Sequence, residues 1–309
     1  MDIRTQCAAA VMMIRPAAFD YNPHTAASNR LQSPGDGTPD AAERAIAEFD
    51  AAVTALQGAG VRVCVVADEP VPPKPDAVFP NNWVSWHADG TVVLYPMQAP
   101  NRRLERRADI LDGVAQRCGY RIARVLDLST FEEQGRFLEG TGSLVLDHVG
   151  RQAFACRSIR TDEMLVRRWA DQMGYQPVVF DALDAAGVPF YHTNVMLSIG
   201  HRVAVVAADS IVPSDREPVL AALAAGSRQI IEIDHAAVGG FAGNMLELVG
   251  SGGRGVFALS ARAQRVLPPI ARARLAAGTD QLLPLVIPTI ERLGGGSVRC
   301  MLAEVFSAA

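Results

Sequence analysis

Apolar and polar positions along the chain sort into short strands and amphipathic helices. The apolar run 7–14 has the length of a buried strand, and Arg15-Pro16 closes it. No cleavage site follows, so a first strand is a better reading than a signal peptide. Over 39–58, Ile46, Phe49, Val53 and Leu56 recur at helical spacing, and a strand-like segment follows at 61–66. The first third therefore reads as an α/β unit. Residues 33–38 have loop composition, and the four prolines between Pro70 and Pro75 bar a helix there.

Beyond Val78 one pattern recurs. A polar residue opens a strand, a glycine-containing turn leads to a second apolar strand, and a polar connection runs into an amphipathic helix. The first copy has Asn82 opening 82–85, a turn at Asp89-Gly90, a strand over 91–95 and a helix over 103–118. The second has Glu139, strands at 144–146 and 152–156, and a helix over 162–173. The third has His192, strands at 194–199 and 203–207, and a helix over 217–225. The fourth has Asn244, strands at 246–249 and 256–260, and a helix over 270–276. A fifth opens with Cys300 and must borrow its remaining parts from the N-terminal strand, the first helix and 61–66.

The five opening residues stand at intervals of 57, 53, 52 and 56 residues. A repeat near 50 residues implies one supersecondary unit packed against its neighbours, here closing into a ring because the last unit borrows from the first. This predicts one pseudo-fivefold α/β domain over residues 1–309, built from ββαβ repeats. Asn82, Glu139, His192, Asn244 and Cys300 should converge near its axis, a catalytic constellation by residue type.

Composition narrows the field. The 309 residues include 29 basic and 33 acidic ones, a formal charge of -4, and 49% are apolar, which fits a compact globular chain and not a disordered one. A mild negative charge gives no general attraction to phosphate backbones or anionic lipid, so the expected partner is a small molecule, with no nucleic acid and no membrane. No apolar run reaches the roughly 18 residues of a transmembrane helix. The five cysteines are odd in number, scattered and without a CxxC pair, as expected of reduced thiols in a cytoplasmic protein.

Cys300 follows Gly294-Gly295-Gly296-Ser297, a loop whose backbone can come close to a ligand, and is the candidate nucleophile. Cys7, Cys64, Cys118 and Cys156 sit in apolar strands or a helix and are expected to be inert. His192 and Asn194, two apart in a presumed strand, should face Cys300 together while Thr193 faces away. Glu139, beside His192, should orient the imidazole and favour its charged form. HxH, HExxH and CxxC motifs are missing, which argues against a metal, and the glycine segments lack the Lys-Ser/Thr of a phosphate loop.

These positions resemble the guanidino-group-modifying enzymes of the pentein fold: arginine deiminase, dimethylarginine hydrolase, succinylarginine dihydrolase and the amidinotransferases. The Leu-Glu-Gly at Glu139, the His-x-Asn at His192 and the near-C-terminal Cys300 match that family's Glu, His and Cys. Phe79-Pro80-Asn81-Asn82-Trp83, Tyr95-Pro96-Met97 and the arginines of 102–107 look closest to its citrulline-utilisation hydrolase branch. The resemblance implies a five-bladed α/β propeller with no metal or organic cofactor. It makes Cys300, His192 and Glu139 catalytic, and it places Asn81, Asn82, Asn194 and Asn244 at the substrate. It also suggests that Arg103 reaches the carboxylate of an amino-acid substrate. Arginine deiminases carry aspartates where this chain has Asn82 and Asn194. An amide donates as well as accepts, which suits a ureido oxygen better than a guanidinium. The expected reaction is hydrolysis of citrulline to ornithine and carbamate. An arginine deiminase, an arginine dihydrolase, an amidinotransferase and a binding module for an arginine-related ligand are the alternatives, and a homo-oligomer is left open.

Overall fold

The structure, a computed structural model, describes residues 2–34 and 40–306. Most of the loop expected over 33–38 lies outside the described residues, as does Pro39 at the head of the expected first helix. The strands are β1 (Ala10–Arg15), β2 (Arg62–Ala67), β3 (Val84–Trp86), β4 (Thr91–Leu94), β5 (Arg124–Asp127), β6 (Val145–Asp147), β7 (Gln152–Cys156) and β8 (Gln176–Phe180). They continue with β9 (Leu197–Ile199), β10 (Val203–Val206), β11 (Gln229–Glu232), β12 (Leu246–Val249), β13 (Gly255–Ser260), β14 (Gln281–Leu285) and β15 (Ala303–Val305).

The ββαβ repeat is present five times. In β3-β4-β5, β6-β7-β8, β9-β10-β11 and β12-β13-β14 the first two strands pair antiparallel and the last two parallel. The fifth unit is β15-β1-β2, with the same pairing senses. It joins the end of the chain to its beginning, as the sequence requires. A parallel pair needs a crossover, and a helix supplies it each time: Leu111–Cys118, Glu163–Met173, Pro213–Ala225, Pro269–Ala277 and, in the fifth unit, Ala41–Gly58. Glu163–Met173 shows how local chemistry sets the bounds. Asp162 caps the start by accepting from Leu165 N at 3.1 Å, Gly174 ends the helix in the left-handed region, and Leu165, Val166, Trp169, Ala170 and Met173 form the buried stripe.

The arrangement is a mixed α/β fold. A single parallel register pair, Val305 with Trp86, joins the fifth unit to the first in a six-stranded sheet. The other three sheets are separate, so among the described residues the sheets are not hydrogen-bonded into a closed ring. The apolar cores lie between units. On β1, Val11 and Met13 join a core with Leu246 and Leu248 of the fourth unit, while Ala10 and Met12 join one with Val84 and Val92 of the first. On β4, Val93 shares a core with Leu146 and Ala153 of the second unit. Phe154, Val205 and Phe257 link the second, third and fourth. Strands buried on both faces have no polar alternation to show, which is why β10 reads Val-Ala-Val-Val. Each such side chain contributes about 1.5–3 kcal/mol. Among the described residues no helix is long and apolar enough to cross a membrane.

The segments before the first strands depart from expectation. Asn82 and Asn194 do not open strands but sit in 3-10 turns, Pro80–Asn82 and Thr193–Val195, and Cys300 lies in the one-turn helix Val298–Met301. The backbone closes on itself there, Trp83 N donating to Pro80 O at 3.2 Å and Met196 N to Thr193 O at 3.1 Å, while Thr193 Oγ1 ties its turn to the second unit by donating to Ser143 O at 2.6 Å and accepting from Cys156 N at 2.8 Å. The helix expected over 103–118 is regular only from Leu111; before it, Pro100–Glu105 is a 3-10 turn and Arg106 is extended. Its arginines are drawn to carboxylates, Arg102 to the buried Glu105 and Arg106 to the half-buried Glu132.

Candidate active site

These turns bring the repeat's polar residues together. Glu139 and His192 are both sealed from solvent, with His192 Nε2 2.8 Å from Glu139 Oε2. Glu139 Oε1 accepts from Gln98 N at 2.9 Å, and Arg160 Nη1 lies 3.4 Å from Oε2. Burial alone would raise the Glu139 pKa, but Arg160, the His192 hydrogen bond and Arg102 outweigh it and hold the carboxyl well below the usual range. An ionised carboxylate only accepts, so Nε2 carries the proton and Nδ1 is the bare, basic nitrogen. Burial pushes the imidazole down to about 4, with Arg160 and Arg102 adding to that against the pull of Glu139. His192 is therefore neutral near pH 7. Glu139 does pull towards the charged imidazole, as expected, but burial, helped by the two guanidiniums, outweighs that pull.

His192, Cys300 and Asn82 line one small pocket, together with Asp76, Arg102, Arg160 and the glycines 294–296. Arg102 is buried, donates to both carboxylate oxygens of Glu105 at 2.9 and 2.8 Å, and donates from Nη1 to Asn82 Oδ1 at 2.8 Å. That bond fixes the amide. Asn82 Nδ2 donates to Asn81 Oδ1 at 3.1 Å and has a second N–H to offer. Gly142 leaves the necessary gap, since a Cβ there would stand 2.5 Å from Asn82 Nδ2 and 2.8 Å from His192 Nδ1.

Cys300 is nearly buried, and two amides reach its sulfur: Asn244 Nδ2 at 3.4 Å and Asn194 Nδ2 at 3.7 Å. The glycine loop before it turns at Gly295, whose φ of +60° favours glycine and whose carbonyl accepts from Tyr191 OH at 2.7 Å and Asn29 Nδ2 at 3.1 Å. Thr25 and Asn29 close the pocket from the N-terminal segment, and its volume of about 10 Å³ has room for a water only. A much larger cavity of about 510 Å³, lined by Arg262, Arg265, Val286 and Glu291, contains neither cysteine nor histidine. Chemistry, not size, places the site.

Of the residues singled out in the sequence, Cys300, His192 and Asn82 line the pocket and Glu139 stands behind His192. Asn194 and Asn244 lie against the sulfur and are not among the lining residues. Asn81 is buried one layer back, bonded to Asn82. Arg103 does not reach the pocket: its Nε donates to Met97 O at 3.0 Å, and it pairs with Glu132. Arg102 and Arg160 are the guanidiniums at the site instead. A run of arginines gives no register for choosing among them, and Arg160 and Asp76 stand in no recognisable motif, so sequence reasoning missed both. Cys7, Cys64, Cys118 and Cys156 are free and buried. Among the described residues no group of three or more His, Cys, Asp and Glu is placed to hold a metal ion.

A mixed α/β chain that delivers a glutamate, a histidine and a cysteine from three repeat units to one site defines a class, the pentein-type enzymes that modify guanidino groups. The chain belongs to the N,N-dimethylarginine dimethylhydrolase family, whose eukaryotic model matches residues 15–307. With that family it is a hydrolase acting on non-peptide C–N bonds in linear amidines and amides. Curated proteins give no match. The N-terminal domain of ArgZ, an arginine dihydrolase from the ornithine–ammonia cycle in cyanobacteria, superposes with a TM-score of 0.71 at 17% identity, over 97% of this chain and 98% of that one. Unliganded AgrE gives a TM-score of 0.73 at 19% identity, over 97% of this chain and 39% of its own length. A dimethylarginine dimethylaminohydrolase in adduct with 4-chloro-2-hydroxymethylpyridine gives 0.65 at 18%, over 96% of this chain and 99% of that one. These likenesses show a shared fold.

Proposed function

We propose that the protein is an arginine dihydrolase, hydrolysing first the guanidino and then the ureido C–N bond of one amino acid, with Cys300 as nucleophile. The observation that carries this reading is the Asn82 amide, turned by Arg102 so that its NH2 group stands beside His192 Nδ1. The first hydrolysis replaces a guanidino nitrogen by oxygen, and that oxygen needs a donor; an aspartate at Asn82 would offer none. Asn194 lies against the Cys300 sulfur with an Oδ1 that is buried and without a partner among the described residues, and this reading gives that acceptor the guanidinium N–H groups of a bound substrate. Membership of a dimethylarginine hydrolase family and the likeness to an arginine dihydrolase support a guanidino substrate over the citrulline-only hydrolysis expected from the two amides.

In this reading Cys300 adds to the guanidino carbon and its thiol proton leaves with ammonia. His192 Nδ1 relays that proton, then takes one from the water that releases the enzyme. A second round on the ureido carbon gives ornithine, carbon dioxide and ammonia, so arginine and two waters yield ornithine, carbon dioxide and two ammonia. Asp76, whose Oδ1 has no hydrogen-bond partner among the described residues, is the charge suited to the substrate's ammonium, and Arg160, whose Nη1 meets Glu139 only at 3.4 Å and keeps an N–H to offer, the one suited to its carboxylate. The reading includes one domain, with the five units around one axis as a five-bladed α/β propeller, supported by cores shared between successive units. A cytoplasmic location and a metal- and cofactor-free reaction belong to the same proposal.

Incubation with arginine, citrulline or dimethylarginine, followed by separation of ornithine, citrulline and ammonia, tests it. Arginine should pass through citrulline to ornithine with two ammonia released. Accumulation of citrulline as the end product would make the protein a deiminase, and turnover of citrulline alone a citrulline hydrolase. Binding without turnover would leave a binding module.

A further inference from the structure

We propose that Asn244 is a catalytic residue that stabilises the Cys300 thiolate by donating an amide N–H to the sulfur. The inference rests on Cys300 as nucleophile and goes beyond the substrate role expected for Asn244 from its repeat position. Its amide is held at both ends. Oδ1 accepts from Arg299 N at 3.1 Å, and one N–H of Nδ2 goes to Asn194 O at 2.9 Å. The other N–H is left for Cys300 Sγ at 3.4 Å, and the two anchors together fix which end of the amide meets the sulfur. The protonated thiol can itself donate to Oδ1, but at 3.7 Å, so the shorter contact is the one that favours the anion. Asn194 Nδ2 adds a second donor at 3.7 Å.

The surroundings give this donor its importance. The charged and titratable groups lining the same pocket are Asp76, Arg102, Arg160, Tyr191 and His192. Arg102 is committed to Glu105 and Asn82, Arg160 to Glu139, Thr25 O and Ser28 Oγ, and Tyr191 OH to Gly295 O. On the cysteine's own turn, Arg299 points to Leu302 O and Glu304. A neutral His192 cannot serve as counter-ion, and a ureido substrate brings no positive charge. Amide donors fixed by the fold then hold the thiolate in both rounds of hydrolysis, whatever the substrate's charge.

The test reads the sulfur directly, without substrate. Iodoacetamide labelling of Cys300 is followed by peptide mass spectrometry from pH 5 to 9 in the parent, Asn244→Ala and Asn244→Asp. Asn244→Asp keeps the shape and the acceptor for Arg299 N, so it should fold even if Asn244→Ala does not. We expect labelling at pH 7 to slow about tenfold in Asn244→Ala and about a hundredfold in Asn244→Asp. Asn244→Ser, which restores a donor, should recover part of the rate. A carboxylate beside the sulfur disfavours the anion whatever the asparagine does, so the neutral variants decide: labelling unchanged in folded Asn244→Ala, or slowed as far in Asn244→Ser as in Asn244→Asp, overturns the proposal. Should the labelling follow the expected order while no arginine or citrulline is consumed, the thiolate role stands and the dihydrolase reading fails.

Discussion

Arg102 Nη1 donates to Asn82 Oδ1 at 2.8 Å at the pocket that Cys300 lines, and this bond leaves the NH2 group as the end of Asn82 with a hydrogen to offer. The Asn82→Asp variant keeps a partner for Arg102 and loses the donor. Citrulline kcat/KM should fall by about 3 kcal/mol, or more than a hundredfold, as expected for an oxygen left facing a carboxylate. Arginine consumption should fall much less, so citrulline accumulates. Steady-state rates on both substrates check this, and equal losses on the two would show that the amide does not discriminate between them.

Cys300→Ser replaces one buried sulfur by oxygen and should keep the fold. Turnover should drop by more than about a thousandfold, because the hydroxyl is hardly ionised and a neutral imidazole is a modest base. Circular dichroism confirms folding and product analysis measures the loss. Substantial residual activity would move the nucleophile elsewhere.

His192 is pushed by burial from 6.5 down to about 4, so below pH 6.5 the unfolded chain takes up a proton that the folded one refuses. Its contribution to stability is whole above pH 6.5 and is lost as the pH falls towards 4. Between pH 7 and 5 this amounts to about 2 kcal/mol. In His192→Gln, denaturant unfolding should depend on pH over that interval by about that much less than in the parent. Parallel curves for the two proteins would contradict a buried neutral histidine.

Arg160 lies against Glu139 and lowers the His192 pKa by like-charge repulsion. In Arg160→Gln the imidazole should titrate closer to its ordinary 6.5, and the acid limb of kcat/KM should move up in pH with it. The pH–rate profile is the measurement. The same substitution removes the bonds to Thr25 O and Ser28 Oγ, so KM should rise as well.

Gly142→Ala places a methyl group 2.5 Å from Asn82 Nδ2 and 2.8 Å from His192 Nδ1. Both are held by buried partners and cannot retreat cheaply. Activity should be lost with only modest change in melting temperature, whereas Gly113→Ala, where nothing lies within 4 Å, should be silent. Kinetics and thermal melts on the pair distinguish a local clash from general destabilisation.

The sequence by itself determined the repeat, because apolar strands, glycine turns and amphipathic helices follow from local periodicity, and a constant spacing places one polar residue at the same point of every unit. Glu139, His192, Asn82 and Cys300 were legible for that reason. So was the sharing of the fifth unit between the two ends of the chain, since the strand and helix patterns that the unit opened by Cys300 lacks stand at 7–14, 39–58 and 61–66. Only the tertiary structure decided the rest. The segments expected to open strands coil into turns that bond within themselves, and the Thr193 hydroxyl anchors one of them to the neighbouring unit. Arg102 and Arg160, not Arg103, stand at the pocket because guanidiniums go where buried carboxylates are: Arg102 meets its neighbour Glu105 and the distant Asp76 and Glu139, and Arg160 meets Glu139. The neutral state of His192 likewise depends on two arginines sharing Glu139 with it in a dry interior, a balance of charge and burial that exists only once the units have packed together.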